Sequence, residues 1–540
     1  MKHLYSKNQE DWMSGADIMV DTVTQTLGPF GNNIGIQRLM DTPFWTKDGA
    51  MVAKELVLPD PIQNFGARLI ADAAQKTAVE AGDGTTTTVA ITGGIIKNFD
   101  IVANKYGVDR ARLYYRVSEV MKMVSDWLKT KSKPMDSKEL LEDVVRISLN
   151  GDTKLTELVV SAYDQNSDLV ILENGYGVDS YLSQVRGYKF EQGVQNALFN
   201  NNIENSCLEL DNCYILAFRG LLSNPKFLLP LFEQLSGANK AFVVIGSVVG
   251  AALDTLAINK MKGLLNCAVL LPPYSGWKRD EFWNDLELIS GCEVYDLMAS
   301  PELSVTMDEL GLVKKIVSKN NSTIVISEDE RFVQDNIDAR IAYYENKKLS
   351  CESTFDTEFC SRNIAYLSGG TTSIHIAGQT ETEQRDNRLK VEDAVSAARV
   401  AGESGILPGC GIALAKVGYA IKKKDKKFFK GSNILSLFND DIGKAAQVIV
   451  SYALQNPFRL LASNAGESNE VWERIGTIYK KDFWTTYDYS QVPPKIGNAL
   501  DLGVVDPLGV VISALNNATA VGQMVKMAGV HISDYSDTEA

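Results

Sequence analysis

The sequence changes character in its middle third, and this change limits the folds it can adopt. Residues 180–330 alternate short apolar runs with helix-like segments, the runs being CYILAF, AFVVIG, CAVLLP and STIVIS. Such alternation is typical of an α/β unit with its own sheet. On both sides, apolar residues recur at helical spacing, as in residues 8–27, 62–80 and 109–130. The chain therefore predicts an α/β unit between mainly helical flanks.

Breaks in these patterns predict the boundaries. The polar stretch KTKSKPMDS predicts a domain boundary, and Asn456-Pro457 predicts a break in a late helix. The C-terminal HISDYSDTEA is typical of a short, acidic, disordered tail. A chain of 540 residues has room for about three or four domains.

The composition excludes several kinds of site. The three histidines (His3, His375 and His531) are too few for a His triad or a zinc hydrolase to be expected. The seven cysteines form no CxxC pair, which argues against a disulfide scaffold or a metal ribbon. A net charge of −14 argues against nucleic-acid binding, which needs clustered Lys and Arg. No signal core or membrane-spanning stretch is evident, so we expect a cytoplasmic protein with no membrane contact.

The strongest local signal is Gly82-Asp83-Gly84 followed by four threonines at a predicted helix start. Glycines allow close approach, and the first helical amides with threonine hydroxyls donate to an anion, so the pattern predicts a phosphate site. Asp83 is placed to hold Mg²⁺ beside it. A well-capped helix after a glycine turn explains the same residues. Two weaker signals, Thr26–Asn33 and Thr46–Gly49, taken alone indicate a helix C-cap and a hairpin turn.

Taken together, these segments resemble one family. TLGPFGNN, TKDGAMVAKEL, NFGARLI, AGDGTTTT, VEDAVSAAR, LPGCGIAL and LGVVDPLGV stand in the order and spacing of the bacterial-type (group I) chaperonins, the GroEL family. The chain resembles that family from about residue 8 to residue 528. The resemblance implies a multidomain α+β chaperonin fold.

The resemblance also implies three nested domains. A mainly helical equatorial ATP-binding domain would comprise 1–131 and 405–540, a small intermediate domain 132–187 and 371–404, and an α/β apical domain 188–370. The hinges would be Pro134 with Gly405, and Gly187 with Gly370.

Carried over residue by residue, the resemblance implies ATP, Mg²⁺ and K⁺ as cofactors. Asp83 would ligate Mg²⁺, and Thr26, Lys47 and Thr86 would form the K⁺ site. Asp48 and Asp393 would position or activate the attacking water, although Asp393 taken alone is an exposed acid on a helix. The implied nucleotide-binding residues are Thr26, Leu27, Gly28, Pro29, Lys47, Asp83, Gly84, Thr85, Thr86, Thr87, Gly409, Cys410, Gly411 and Asp506, the last of these at the nucleoside end.

The resemblance further implies a surface for non-native client proteins on two helices and a nearby strand. Without the resemblance, apolar residues at helical spacing are expected to face the core. The implied client-binding residues are Leu198, Phe199, Leu229, Phe232, Leu253, Ala257 and Ile258.

The function implied is that of an ATP-driven chaperonin subunit in a homo-oligomeric ring, sevenfold in the bacterial members and either single or double, with or without a GroES-like cochaperonin. Departures include Cys410 in a glycine turn and Ser490–Val492 in place of the usual base contact. Such departures suggest a specialised or phage-encoded copy. Two alternatives stay open: a ring-forming protein-binding scaffold with a degenerate ATPase, and a small-molecule kinase that uses the same phosphate site.

Overall fold

The structure is a computed structural model. It describes residues 2–6, 9–37, 43–165, 170–175, 178–185, 187–201, 207–238, 240–297, 305–319, 322–327, 334–351, 353–369, 371–528 and 531–535. The proposed hinge residue Gly370 lies outside these ranges.

The helices are α1 (Gln9–Thr24), α2 (Gly49–Glu55), α3 (Pro61–Ala81), α4 (Thr85–Tyr106), α5 (Arg110–Lys129), α6 (Lys138–Ser148), α7 (Thr153–Gln165), α8 (Leu229–Ala238), α9 (Gly250–Met261), α10 (Trp277–Ser290), α11 (Gln334–Leu349), α12 (Thr354–Gly369), α13 (Glu381–Ser404), α14 (Ile412–Lys423), α15 (Asp441–Asn464), α16 (Val471–Tyr479), α17 (Ala499–Leu502) and α18 (Leu508–Met527).

The strands are β1 (Lys2–Ser6), β2 (Ile34–Ile36), β3 (Phe44–Thr46), β4 (Val170–Asn174), β5 (Tyr181–Val185), β6 (Gly187–Phe190), β7 (Cys207–Leu222), β8 (Ala241–Val248), β9 (Cys267–Leu270), β10 (Val294–Asp296), β11 (Gly311–Lys319), β12 (Ser322–Ser327), β13 (Thr371–Ile376), β14 (Ile406–Pro408), β15 (Thr485–Asp488), β16 (Lys495–Asn498), β17 (Val505–Pro507) and β18 (His531–Tyr535).

The chain divides into two compact units. Unit 1 comprises Met1–Val160, Tyr176–Ser180 and Ile376–Ala540, and unit 2 comprises Ser161–Gly175 and Tyr181–His375. Both ends of the chain thus belong to unit 1, and the middle of the chain forms unit 2. The division into three domains stays a prediction.

Unit 1 is built around α4, which packs against α15, α18, α3 and α1. Its first half is buried on all sides over residues 88–96, whereas its second half exposes Lys97 and Ile101. A helix segment without a polar face belongs in the interior. The helix ends at Gly107, whose φ of +61° permits the left-handed C-cap. The glycine-threonine motif therefore begins the central helix of this unit.

The predicted helix break at Pro457 is wrong. α15 continues through Pro457 to Asn464. Its residues around the proline are buried against α4, where the Nδ2 of Asn456 donates to the carbonyl of Ala90 at 2.6 Å. Packing on both sides keeps the helix intact although proline lacks an N–H donor.

The predicted disordered C-terminal tail is also wrong over His531–Tyr535. This segment forms β18, which pairs antiparallel with β1 from Lys2↔Tyr535 to Ser6↔His531. The pairing joins two segments at opposite ends of the sequence, so local composition carries no sign of it.

Of the helices that the structure describes, α18 is long and apolar enough to cross a membrane. It is more than half buried and packs against α3, α4 and α5. The side chain of Asn517 at its middle donates to Thr77 Oγ1 at 3.1 Å. These contacts are those of a core helix.

Unit 2 contains the predicted α/β sheet. Its strand order is β6-β12-β11-β7-β8-β9, with β10 pairing to β7. The strands β7, β8 and β9 run parallel, whereas β11 is antiparallel to β7 and β12. All residues of β9 are buried, and so are nearly all of β8, as expected for parallel strands covered on both faces. The four apolar runs predicted as strands are confirmed.

Candidate functional site

The turn Gly82–Gly84 leads directly into α4. Gly82 ends α3 with a φ of +70°, and Gly84 precedes α4 with a φ of +83°. No side chain caps α4 at Gly84. The first amides of a helix lack partners within the helix, and here they coincide with the hydroxyls of Thr85–Thr87. This helix start therefore has the donors that a phosphate group requires.

The Thr26–Asn33 loop lies beside the same helix start. Thr26 Oγ1 is 3.4 Å from Thr86 Oγ1, and Lys47 Nζ donates to the carbonyl of Pro29 at 3.0 Å. The Nδ2 of Asn464 on α15 donates to the carbonyl of Leu27 at 3.0 Å. Two segments that look like ordinary turns in the sequence thus meet at the start of α4.

Asp48 faces this point from the start of α2. Its carboxylate accepts from the amides of Ala50 at 2.9 Å and Met51 at 3.2 Å, as a helix N-cap does. Burial raises its pKa, and the negative charges of Asp83 and Asp386 raise it further. A Cβ at its neighbour Gly49 would lie 2.2 Å from Thr86 Oγ1, so a larger residue there would displace the Thr86 side chain.

Asp83 is fixed by two hydrogen bonds. It accepts from the amide of Gly84, and its Oδ2 accepts from Ser148 Oγ at 3.2 Å. Burial raises its pKa, and both hydrogen bonds oppose that rise. Ser148, at the end of α6, was not predicted from the sequence, since nothing local distinguishes it from an ordinary helix-end serine.

The glycine-rich turn before α14 forms another side of the site. The amide of Gly409 donates to the carbonyl of Val504 at 2.9 Å, which joins the turn to the strand that carries Asp506. Gly411 begins α14 with a φ of +66° and without a capping side chain. Burial raises the pKa of Asp506 to about 7, the charge of Asp83 raises it too, and the amide of Gly411 opposes the rise.

Cys410 adopts a backbone conformation that favours glycine. Its φ is +62°, and a residue with a Cβ is destabilised by about 1 kcal/mol or more there. Burial raises the pKa of its thiol, and so do the charges of Asp506 and Asp488. The thiol is therefore kept protonated beside the carboxylates of the site.

We expect Cys410→Gly to be more stable than Cys410→Ala by about 1 kcal/mol, because alanine keeps the Cβ strain and glycine removes it. Thermal unfolding of the two variants measures the difference. The matched control is the same pair of substitutions at Cys360, which lies inside α12. There we expect Cys360→Gly to be less stable than Cys360→Ala, because glycine weakens a helix interior. Equal stability of the two variants at position 410 would mean that the turn stores no such strain.

Helix α13, which carries Asp393, packs against the Gly82–Gly84 turn. Asp386 on this helix is close enough to raise the pKa of Asp48. Ser396 lies against the glycine turn, where a Cβ at Gly82 would come within 2.1 Å of its Cβ. Residues seven apart on a helix share a face, so Asp393 lies on the face of Asp386 and one turn before Ser396. Asp393 is half-buried there.

Asp386 is the second residue missed from the sequence. It forms an ion pair with Lys390 at 2.6 Å within α13. An Asp-x-x-x-Lys pair is common on exposed helices and carries no functional signal by itself. Asp386 stands seven residues before Asp393, which places both on one face of the helix. This spacing is the sequence signal that could have identified Asp386.

The carboxylates of the site fit a metal ion that binds together with a nucleotide. In the part of the chain that the structure describes, no group of three or more His, Cys, Asp and Glu side chains is placed to hold a metal ion alone. Mg²⁺ usually takes one or two carboxylates and completes its shell with phosphates and water. Half-buried Asp48, Asp83 and Asp506 all have raised pKa values, and a bound cation would oppose that rise. The residues present therefore fit Mg²⁺ bound together with a phosphate ligand.

The predicted client-binding residues separate into three groups. Leu198, Leu229 and Ile258 are about half exposed. Phe232, Leu253 and Ala257 are partly buried against the core of unit 2. Phe199 is completely buried, so its assignment to the surface is corrected.

Phe199 turns inward because a short helical turn at Ala197–Phe199 sends neighbouring side chains in opposite directions. The carbonyl of Phe199 accepts from Lys260 Nζ of α9 at 2.7 Å, which fixes this turn to α9. Two exposed apolar residues near the end of α9, Met261 and Leu264, were not predicted. We call Leu198, Leu229, Ile258, Met261 and Leu264 the apolar patch.

Comparisons with known proteins show the family and the fold of this chain. A family model described as the TCP-1/cpn60 chaperonin family matches residues 19–527. Two crystal structures of the chaperonin gp146 from bacteriophage EL 2 (Pseudomonas aeruginosa), both in the presence of ATP-BeFx, resemble this chain in fold. Crystal form II has a TM-score of 0.66 and 20% identity, and the match covers 99% of this chain and 100% of that chain. Crystal form I has a TM-score of 0.60 with the same identity and coverage.

Proposed function

Because the chain belongs to the TCP-1/cpn60 chaperonin family, we propose that it is a ring-forming chaperonin subunit that uses ATP hydrolysis to fold client proteins. The observation that carries the ATP part is the meeting of two uncapped helix starts, α4 and α14, with the half-buried carboxylates of Asp48, Asp83 and Asp506. The amides bind phosphate, and the carboxylates bind the accompanying cation and water. The gp146 structures were determined with an ATP analogue, which supports a nucleotide ligand here.

In the proposed site, the phosphates lie on Gly84 and Thr85–Thr87, and the loop of Gly28 and Pro29 closes over the nucleotide. Asp83 would ligate Mg²⁺, and the bound ion would supply positive charge to balance the charge of the phosphates. The carbonyls of Thr26 and Lys47, together with Thr86, would hold K⁺, and the 3.4 Å approach of Thr26 Oγ1 to Thr86 Oγ1 supports this by placing Thr26 beside Thr86. Asp506 and the turn Gly409–Gly411 lie towards the nucleoside.

The proposed reaction is an in-line attack of water on the terminal phosphate, in which a P–O bond to water forms, the P–O bond to the bridging oxygen breaks and ADP leaves. Asp48 is held as a helix cap, so it orients the water without moving itself. Asp393 accepts the water proton or aligns it from α13. Asp393 belongs to α13, whereas the phosphate donors belong to other segments. Hydrolysis therefore depends on the position of α13 relative to the Gly82–Gly84 turn.

We also propose the three nested domains given above and a homo-oligomeric ring, sevenfold and single or double, with or without a GroES-like cochaperonin. The presence of both chain ends in one compact unit supports a shared equatorial domain. Ring assembly is typical of the family.

Electron microscopy of the purified protein with and without ATP, alongside phosphate release, tests the proposal. We expect rings that change shape while phosphate is released. Rings that release no phosphate would indicate a protein-binding scaffold with a degenerate ATPase. A monomer that phosphorylates a small molecule would contradict the chaperonin proposal altogether.

The apolar patch is proposed to capture non-native clients, since exposed apolar side chains bind chains that expose apolar surface. We expect Leu198→Glu with Ile258→Glu to reduce capture of a denatured test protein by about tenfold, because each change places a charge where apolar contact forms. Co-sedimentation of the denatured protein measures capture.

The matched control for the patch is Val57→Glu with Ile101→Glu, two apolar residues of unit 1 that are 57% and 68% exposed. This control should capture clients as well as the wild type does. Equal loss in both double variants would show that capture depends on general surface charge and not on the patch.

A further inference from the structure

Unit 1 carries a dense group of exposed lysines that the nucleotide site does not use. Three short segments supply them: 129–133 (KTKSK), 422–430 (KKKDKKFFK) and 480–481 (KK). Together they hold eleven lysines and one aspartate, in a chain whose net charge is −14. All eleven lysines are exposed, and we call them the lysine face.

An aromatic cluster brings these distant segments together. Trp127 stacks on Phe428 with ring centroids 5.0 Å apart, and Tyr479 contacts Phe428 at 5.7 Å. Phe483 packs edge-on against Trp127 at 5.6 Å. Each of these aromatic residues lies in a lysine segment or within two residues of one. The three segments therefore surround a single aromatic cluster.

The loop between α14 and α15 is held in a defined shape. The carboxylate of Asp425 accepts from the amides of Lys427 at 2.8 Å and Phe428 at 3.2 Å, and from the hydroxyl of Tyr479. Asp425 is the one acid within the three segments, and these contacts already occupy it. The lysines are therefore presented on an ordered support.

The charges of this face are poorly compensated. Lys129 pairs with Asp126 at 2.9 Å. Among the residues that the structure describes, Lys426, Lys427 and Lys430 make no salt bridge. Like charges held close together repel, and a negatively charged partner relieves that repulsion.

The chemistry of the face favours carboxylates over nucleic acid. It contains lysine and no arginine, whereas the planar guanidinium is the usual choice for phosphate and base recognition. Single-stranded nucleic acids also need exposed aromatic rings on which bases stack. Here Trp127 and Phe429 are 6% and 2% exposed, and their rings are used in packing. Trp472 is 47% exposed, and its ring is already in a cation–π contact with Lys422, whose Nζ lies 5.5 Å from the ring centroid.

We propose that the lysine face is a docking surface for an acidic polypeptide segment rich in Asp and Glu. The contact forms between lysine ammonium groups and side-chain carboxylates, so it is electrostatic and weakens as salt rises. The acidic composition of the whole chain conceals this surface, because average charge says nothing about local clustering.

Fluorescence anisotropy with a labelled polyglutamate peptide tests the proposal on the full-length protein. We expect Lys426→Gln/Lys427→Gln/Lys430→Gln to weaken binding by about tenfold or more at low salt. The control Lys76→Gln/Lys105→Gln/Lys262→Gln removes three exposed lysines elsewhere, and it should bind within about twofold of the wild type. Thermal unfolding and phosphate release should not differ between the two variants, since neither touches the nucleotide site.

Equal binding by the two variants overturns the proposal, because it assigns the effect to net charge alone. A second arm uses a labelled single-stranded oligonucleotide of equal charge. If the oligonucleotide binds more tightly than polyglutamate and loses that affinity in the Lys426/Lys427/Lys430 variant, the face is a nucleic-acid site and the proposed partner is wrong.

Discussion

Asp393→Ala is expected to lower ATP turnover by about 100-fold or more while ATP binding stays within about twofold of the wild type. Asp393 lies on the face of α13 that packs against the Gly82–Gly84 turn, whereas the groups that donate hydrogen bonds to the phosphates belong to other segments. The substitution therefore removes the group that positions or activates the attacking water, and it leaves the phosphate-binding amides unchanged. Phosphate release and equilibrium nucleotide binding measure the two effects separately.

The matched control for Asp393 is Glu403→Ala on the same helix. Glu403 is exposed near the end of α13, so its loss removes a carboxylate without touching the turn. This control should keep wild-type turnover. Unchanged turnover in Asp393→Ala would falsify the assignment, and equal loss of ATP binding would make Asp393 a binding residue.

The second large effect is a pH dependence set by Asp506. Its pKa in the folded protein is about 7, against 3.8 for an aspartate that is free of such surroundings, as in the unfolded chain. A folded-state pKa above the unfolded one means that the fold gains stability from the protonated group at low pH. That gain is lost as pH rises from about 4 to about 7, and in total it amounts to about 4 kcal/mol at most.

We therefore expect Asp506→Asn to unfold at a higher temperature than the wild type at pH 8 without nucleotide, and at nearly the same temperature at about pH 4.5. The amide resembles the protonated acid and does not ionise. Thermal unfolding across this pH range gives the difference between the proteins, which cancels the titration of other groups. Asp501→Asn, a change on α17 nearby in sequence, is the control and should not alter the pH dependence.

A constant difference between Asp506→Asn and the wild type at all pH values would show that folding does not raise the pKa of Asp506. Added Mg²⁺ with nucleotide should reduce the difference at pH 8, because a bound cation stabilises the ionised carboxylate.

Local patterns in the sequence predicted most of the secondary structure. The four apolar runs are strands of unit 2, and the glycine-threonine motif begins α4 as expected. These features depend on residue spacing, capping and turn chemistry, which act over a few residues. The predictions at Pro457 and at His531–Tyr535 failed where packing or pairing with a distant segment outweighed the local preference.

The candidate site shows the same division. Gly82–Thr88 is recognisable from its sequence, whereas Ser148 and Asp386 become part of the site only because α6 and α13 pack beside it. Phe199 shows the reverse case. Its apolar character is evident from the sequence, but the direction of one side chain in a short turn decided that it is buried.

The sequence by itself determined that an α/β unit interrupts a helical chain, that histidines are scarce and that a glycine-threonine motif begins a helix. Only the tertiary structure decided which carboxylates face that helix start and which apolar residues stay exposed. It also placed eleven lysines from three segments around one aromatic cluster, in a chain of net charge −14. The reason is physical: composition and spacing fix local conformation, whereas proximity between distant residues arises only when the core packs.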